Sequence, residues 1–384
     1  MMTDNGYDLL DQFDTAPYEK RVQLFRTALA NGRLDEDTAF EMLSDLYDDT
    51  AVHDARSLFD EWVTALRTQA PELYAGIAGY LLEWQITHAL VDGRTAELPA
   101  LSQQLAQQAA SFPNEVVVTG EKLAYYGQLD TLAKMMSTAW PHIQNADFDE
   151  WAVEEFAVQG MNYAILNYVA TAVSPDPTDP HLLALLDPFA EIEADTLTEY
   201  LAQVTGQTNR SWQPSDFAVP PQSSNAVEIP DEVDANLTQL LREFMHAVHS
   251  EKSLPLSRAA LAYWPLNEYL LSRLEESARA YQPRRKKAGR FERKTYGLSP
   301  LCPTTISLAQ FLSNMLELVA PQHYPTAAIL SVLPTWLRFL HNRGLITAEQ
   351  QAQTELGLQE LLPELREFWG DMPTDPALVA CVME

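Results

Sequence analysis

Apolar residues recur at intervals of three and four along almost the whole of this 384-residue chain. That spacing places them on one face of an α-helix, whereas a half-buried β-strand needs apolar and polar positions to alternate. Runs of β-branched residues, which favour strands, are short, and the best of them covers only residues 116–119. The pattern predicts an all-α fold.

The first half of the chain predicts helices that are separated by tight glycine turns. One helix begins near Pro17, since proline is tolerated in the first helical turn, and it ends at Asn31-Gly32, a typical left-handed stop. Similar periodicity predicts further helices from residue 35 and at residues 55–66, 71–90, 97–111 and 148–173. Two later turns, at Gly93 and Gly127, lie 34 residues apart, which is the period of repeats built from helix pairs.

Residues 116–141, VVVTGEKLAYYGQLDTLAKMMSTAWP, resemble one tetratricopeptide repeat. Gly120 stands where the first helix of such a repeat has a small residue, and Gly127 stands at the turn between the two helices. Ala139 matches the small position late in the second helix, and Pro141 is expected just after the end of that helix. The resemblance implies helix pairs that bury their apolar faces against neighbouring pairs.

The resemblance is partial and covers about residues 80–141. Thr119, Leu123 and Leu132 depart from the residue types of the repeat, and the region around Gly93 fits less well. Unrelated helix pairs joined by glycine turns are an equally good interpretation, because several solenoid classes share this period.

Prolines and turn residues divide the chain further. SPDPTDP interrupts the helical pattern after residue 173, and helices resume over residues 181–204. Residues 206–230 hold four prolines and few branched aliphatic residues, which predicts a linker, with Trp212 and Phe217 able to tether it to a domain surface.

We therefore predict two helical domains. A stacked helix-pair, α-solenoid-like domain covers residues 1–205, and a second helical domain covers residues 231–384. In the second domain, residues 283–303 follow no periodic pattern and form a long predicted loop.

Charge is distributed very unevenly. The chain carries a net charge of −29, which opposes binding to nucleic acid or anionic membranes over most of its surface. Within the predicted loop, however, PRRKKAGRFERK (residues 283–294) holds seven of the 25 basic residues and one acid. These candidate binding residues are Arg284, Arg285, Lys286, Lys287, Arg290, Arg293 and Lys294.

Three interpretations of this basic segment stay open. It is a counter-charge for an acidic face of the same chain or of a second copy, or it is a solvated loop without a partner. Alternatively it binds the phosphates of a nucleic acid, with Tyr281, Phe291 and Tyr296 as stacking surfaces.

Sequence motifs for catalysis are scarce. Glu243 and His246 have the Glu-x-x-His spacing of di-iron bundles, but the chain has no second such pair. Phosphate-binding glycine loops, nucleophile elbows and H-E-x-x-H are also missing from the sequence. We predict no catalytic residues, no metal site and no cofactor, although catalytic groups that converge from distant positions escape such a search.

Neither export nor membrane insertion is indicated. The first residues are acidic, whereas a secretory signal begins with positive charge. The longest apolar stretches, residues 161–173 and 327–340, are shorter than the roughly 18 residues of a membrane-spanning helix. The two cysteines, Cys302 and Cys381, are too few for a disulfide framework, so we expect a cytoplasmic location.

The leading hypothesis is a non-catalytic protein-interaction or scaffold protein with an acidic binding surface. The alternative is a nucleic-acid-associated regulator that uses residues 284–294, and the third is a helical enzyme with a site between domains. The tryptophans at helical apolar positions are expected in the core, namely Trp62, Trp84, Trp151, Trp336 and Trp369.

Overall fold

The computed structural model describes residues 4–145, 150–189, 192–208, 210–222, 227–252, 254–279, 299–317, 321–370 and 375–381. Within these ranges the chain is all-α, as predicted, and an isolated bridge between Gln222 and Arg279 is the extent of its β-structure. No helix in the described ranges is both long enough and apolar enough to span a membrane.

The chain forms two compact units that interleave along the sequence. The first consists of Met1–Gly120, Lys134–Phe156 and Trp369–Ala377, and the second consists of Glu121–Ala133, Ala157–Phe368 and Leu378–Glu384. The predicted domains, 1–205 and 231–384, stay a prediction.

In its described residues, the first unit contains six complete helices: α1 (Asp4–Asp14), α2 (Tyr18–Ala30), α3 (Glu36–Val52), α4 (Arg56–Gln69), α5 (Pro71–Val91) and α6 (Leu98–Ala106). The following helices have residues in both units: α7 (Pro113–Tyr125), α8 (Leu129–Ile143) and α9 (Glu150–Thr171).

The second unit continues with α10 (Pro180–Leu186), α11 (Ala194–Val204), a 3₁₀ helix (Pro214–Phe217), α12 (Asp231–Glu251), α13 (Leu256–Ala278), α14 (Thr305–Met315), α15 (His323–Asn342) and α16 (Ala348–Gln359). The last two helices, α17 (Leu362–Gly370) and α18 (Pro376–Ala380), again have residues in both units.

Local sequence signals set many of the helix ends. Asp35 caps α3 by accepting a hydrogen bond from the Thr38 N–H at 3.0 Å. The predicted turns at Gly32, Gly93 and Gly127 all have positive φ, a conformation that glycine adopts without a steric penalty. Helix, glycine turn and helix therefore alternate as predicted, whereas a solenoid built from these pairs stays a prediction.

The core of the first unit is rich in aromatic residues. Helix α5 packs against α3, α4 and α6, and Phe25, Phe59 and Trp62 are fully buried in the core of this unit. Burying one large apolar side chain contributes roughly 1.5–3 kcal/mol to the stability of the fold. The buried apolar face of each helix therefore holds that helix in place.

The second unit is built around α13 and α15. Trp336 of α15 is completely buried, packs edge-on against Phe244 of α12, and donates its indole N–H to the Leu301 carbonyl at 3.1 Å. At the start of α13, the Ser257 hydroxyl and the Arg258 guanidinium donate to the carbonyls of Ala124 and Tyr125, each at 2.7 Å. The α13 side chains thus cap the end of α7, where helical carbonyls lack partners within the helix.

Two local expectations differ from the structure. Pro141 lies inside the last turn of α8, not after it, because a proline near a helix end removes only one main-chain hydrogen bond. Trp151 is 66% exposed at the start of α9, a helix with apolar residues on all sides, so periodicity did not identify its buried face. The other four predicted core tryptophans are buried or half-buried.

Candidate functional site

The basic segment lies outside the described residues, since the description stops at residue 279 and resumes at 299. Its predicted binding residues are Arg284, Arg285, Lys286, Lys287, Arg290, Arg293 and Lys294, and their role stays a prediction. The candidate sites below are built from the described residues alone.

An apolar groove opens between α14 and α17 in the second unit, with a volume of about 240 Å³. One wall is formed by the stripe Ala309, Leu312, Ser313 and Leu316, and the other by the stripe Leu361, Glu364, Leu365 and Phe368. Both stripes follow the spacing i, i+3, i+4, i+7, which places four side chains on one face of a helix. Two helices and the residues that adjoin them, Leu316 and Leu361, therefore present rows of mostly apolar side chains to the same open space.

The groove leaves apolar surface open to solvent. Phe368 is 42% exposed, although its spacing from Leu361 and Leu365 would suit a core position. Ile306, one turn before Ala309 on the same face of α14, is 53% exposed. Large apolar side chains clustered at an open groove are typical of binding surfaces, whereas scattered ones are not.

Hydrogen bonds hold α14 in position. The Tyr269 hydroxyl of α13 pairs with the Ser307 hydroxyl at 2.8 Å and accepts from the Thr304 N–H at 3.2 Å. The Thr305 hydroxyl donates to the Gly357 carbonyl of α16 at 3.3 Å. A rigidly held α14 wall means that a ligand need not order this wall on binding.

One carboxylate lines the groove, and other acidic residues lie near the lining residues in the sequence. Glu364 is one of the lining residues, and Glu317, Glu360 and Glu367 lie within a few positions of it or of Leu316. The His323 ring lies 6.0 Å from the Phe368 ring, and burial, followed by the nearby Lys122 charge, lowers the pKa of that imidazole. His323 is therefore mostly neutral at pH 7 and adds no positive charge beside Phe368.

A second candidate is the Glu-x-x-His pair of α12. The Glu243 side chain is 1% exposed, and each of its oxygens is occupied. One oxygen accepts from the Trp212 indole at 3.0 Å and pairs with Arg343 at 3.1 Å. The other accepts from Thr208 and Gln239, both at 3.2 Å.

His246, the second member of the pair, also has a packing role. The His246 imidazole lies directly against Gly206, where any Cβ atom would collide with the ring. Burial lowers the pKa of His246, so the ring is neutral at pH 7. In the described part of the chain, no three His, Cys, Asp or Glu residues are grouped as metal ligands would be. Glu243 and His246 thus fasten the segment after α11 onto α12.

That segment belongs to the predicted linker, residues 206–230. Trp212 and Phe217 are both buried, and the Asn236 side chain of α12 donates to the Asp216 carbonyl at 2.9 Å. The tethering role expected of Trp212 and Phe217 is confirmed.

The two cysteines have different environments. Cys302 is fully buried, and burial raises the pKa of its thiol to about 11. Cys381 is partly exposed and donates to the Leu378 carbonyl at 3.0 Å. A buried thiol with a raised pKa is a poor nucleophile, so Cys302 serves as a core residue.

Sequence reasoning missed the groove, although a signal was present. The stretch LQELLPELREFW, residues 358–369, has apolar residues at helical spacing together with an acidic flank. Periodicity alone reads such a stripe as a core face, because it cannot show that Phe368 is 42% exposed in the described part of the chain.

Comparison with known proteins gives no assignment. The chain matches no protein-family model, and it has no significant match among curated proteins or solved structures. The function must therefore be argued from the sites themselves.

Proposed function

We propose that this chain is a non-catalytic protein-interaction protein, of a scaffold or regulatory type, whose apolar groove receives a basic amphipathic helix of a partner protein. The groove carries the proposal, because its two helical stripes offer apolar contacts next to a carboxylate. Helix-in-groove recognition uses apolar anchors at i, i+3, i+4 and i+7 of the bound helix.

Charge supports the choice of partner. Glu364 lies among the lining residues, while the chain as a whole carries a net charge of −29. A helix with lysines or arginines beside its apolar anchors would be attracted to this border, and an acidic helix would be repelled. Charge at the border sets the preference among partners, and burial of the anchors supplies most of the affinity.

The test uses two synthetic 16-residue amphipathic peptides with identical leucine anchors, one flanked by lysines and one by glutamates. Fluorescence anisotropy of labelled peptides reports binding to the full chain. We expect the basic peptide to bind with a Kd on the order of 10 μM and the acidic peptide at least tenfold more weakly.

Matched variants connect this binding to the groove. Phe368→Asp should weaken binding of the basic peptide at least tenfold, because it places a charge among the apolar anchors. Leu183→Asp, at a residue of α10 that is 49% exposed in the same unit, should change the Kd less than twofold. Glu364→Lys should reverse the preference between the two peptides. Equal effects of the two Asp variants, or equal binding of the two peptides, would contradict the proposal.

The other two hypotheses stay predictions. A nucleic-acid role depends on residues 284–294, which lie outside the described residues. For an enzyme, the described residues offer no grouped metal ligands, and convergent catalysis at another location stays untested.

A further inference from the structure

The first unit has a partly exposed aromatic face on α3 and α5, formed by Phe40, Tyr80 and Trp84. The Phe40 ring centroid lies 4.8 Å from that of Tyr80 and 5.7 Å from that of Trp84. Each of the three side chains is half-buried and packs against the core of the unit. Tyr80 and Trp84 are four residues apart, so they occupy successive turns of one face of α5.

Two carboxylates flank this aromatic face. The Glu36 carboxyl carbon would lie only 2.6 Å from a Cβ atom at Gly76, so the glycine allows this carboxylate to approach the backbone of α5. Gly76 is one turn before Tyr80 on the same face. Glu115 of α7 lies close enough to Tyr80 to raise the pKa of its hydroxyl, although burial of Tyr80 is the larger cause.

Glu115 is half-buried without a cationic partner among the described residues. Burial raises the pKa of its carboxyl, and the charge of Glu83 raises it further. A positive group placed beside Glu115 would offset both unfavourable effects. Aromatic ring faces also attract cations, by roughly 0.5–2 kcal/mol.

We propose that the aromatic face and its flanking carboxylates, Glu36 and Glu115, bind an arginine side chain in an extended segment of a partner protein. A guanidinium group suits this arrangement better than an ammonium group, because its flat surface stacks on rings while its edge donates to carboxylates. The groove lies in the other unit and is not needed for this binding.

The test uses the capped peptide Gly-Gly-Arg-Gly-Gly and a matched peptide in which citrulline, a neutral isostere, replaces arginine. The NMR signal of the Trp84 indole N–H, assigned with Trp84→Phe, reports binding. One side chain should bind with a Kd on the order of 1 mM, and the citrulline peptide at least tenfold more weakly.

Variants locate the interaction. Phe40→Leu, which removes a ring, and Glu115→Gln, which removes a charge, should each weaken binding of the arginine peptide at least threefold. Glu72→Gln, an exposed acid in the first turn of α5, is the matched control and should leave the Kd unchanged. Unfolding midpoints of all variants establish that each is folded.

Three results would overturn the proposal. The first is equal binding of the arginine and citrulline peptides, and the second is an equal loss of binding in Glu72→Gln and Glu115→Gln. The third is tighter binding of free spermidine than of the peptide, which would point to a small amine as ligand. Phe368→Asp should leave binding here unchanged, so failure at this site is distinguishable from failure at the groove.

Discussion

Glu243 connects several segments that are distant along the chain. Its buried carboxylate joins α12 to Trp212 and Thr208, which precede the helix, and to Arg343 at the end of α15. The Arg343 guanidinium also lies over the Phe339 ring, 5.2 Å from its centroid. The two charges are therefore satisfied by several partners, a condition that buried ions require.

We expect Glu243→Gln to lower the free energy of unfolding by about 2–3 kcal/mol, because it leaves Arg343 without its counter-charge. The matched control is Glu251→Gln, at the last residue of the same helix. Glu251 pairs with Arg338 at 3.3 Å on the surface, so its loss should cost less than about 1 kcal/mol. Urea unfolding measures both values, and equal costs would show that the Glu243 network is not a principal anchor.

Cys302 gives a second prediction at the scale of one residue. Raising the pKa of a thiol from 9.0 to about 11 lowers its thiolate fraction at pH 8 about a hundredfold, before any effect of access. The reagent DTNB should therefore modify Cys381 quickly and Cys302 only on unfolding. Cys302→Ala should keep the fast phase, and two fast phases in the native wild-type chain would contradict the assignment.

At the scale of elements, two glycines separate the energetic cost of backbone strain in a turn from the cost of a clash with a packed side chain. Gly93 and Gly206 both have a φ of +70°, but a Cβ atom at Gly93 meets open space, whereas one at Gly206 meets His246. Gly93→Ala should cost about 1 kcal/mol from backbone strain alone, and Gly206→Ala about 2–4 kcal/mol because the imidazole must also move. Thermal unfolding of both variants measures the difference, and equal shifts would mean that the contact with His246 is unimportant.

Much of the helical architecture could be predicted from the sequence because its signals are local. The caps and turns at Asp35, Gly32, Gly93 and Gly127 depend on a few adjacent residues. The groove and the Glu243 network could not be predicted, since they depend on which distant helices meet. Trp151 shows the same limit, because a helix that is apolar on all sides gives no indication of which side is buried.

For the whole molecule, the net charge is the feature that most limits which partners can bind. A net charge of −29 on 384 residues repels polyanions, and the seven bases between residues 284 and 294 are the exception. The protein-interaction proposal assigns the acidic surface, including the groove border, to positively charged partners. The nucleic-acid alternative assigns function to the basic segment.

These alternatives predict different salt dependence. With mixed-sequence DNA and RNA, we expect no binding below about 100 μM at 150 mM salt, because the acidic remainder opposes it. Binding that appears at low salt, falls steeply with added salt and disappears when all seven bases are changed to glutamine would favour the nucleic-acid role. Fluorescence anisotropy of labelled 30-mers measures both outcomes.

The most direct test of the central claim is a methyl NMR titration of the leucine-labelled full chain with the basic amphipathic peptide. We predict that the methyl signals of Leu312, Leu316, Leu361 and Leu365 shift together and saturate at one Kd, while those of Leu43 and Leu46 in the core of the first unit do not move. Absence of shifts at the groove leucines, or shifts centred on other residues, would contradict the assignment of this groove as the binding site.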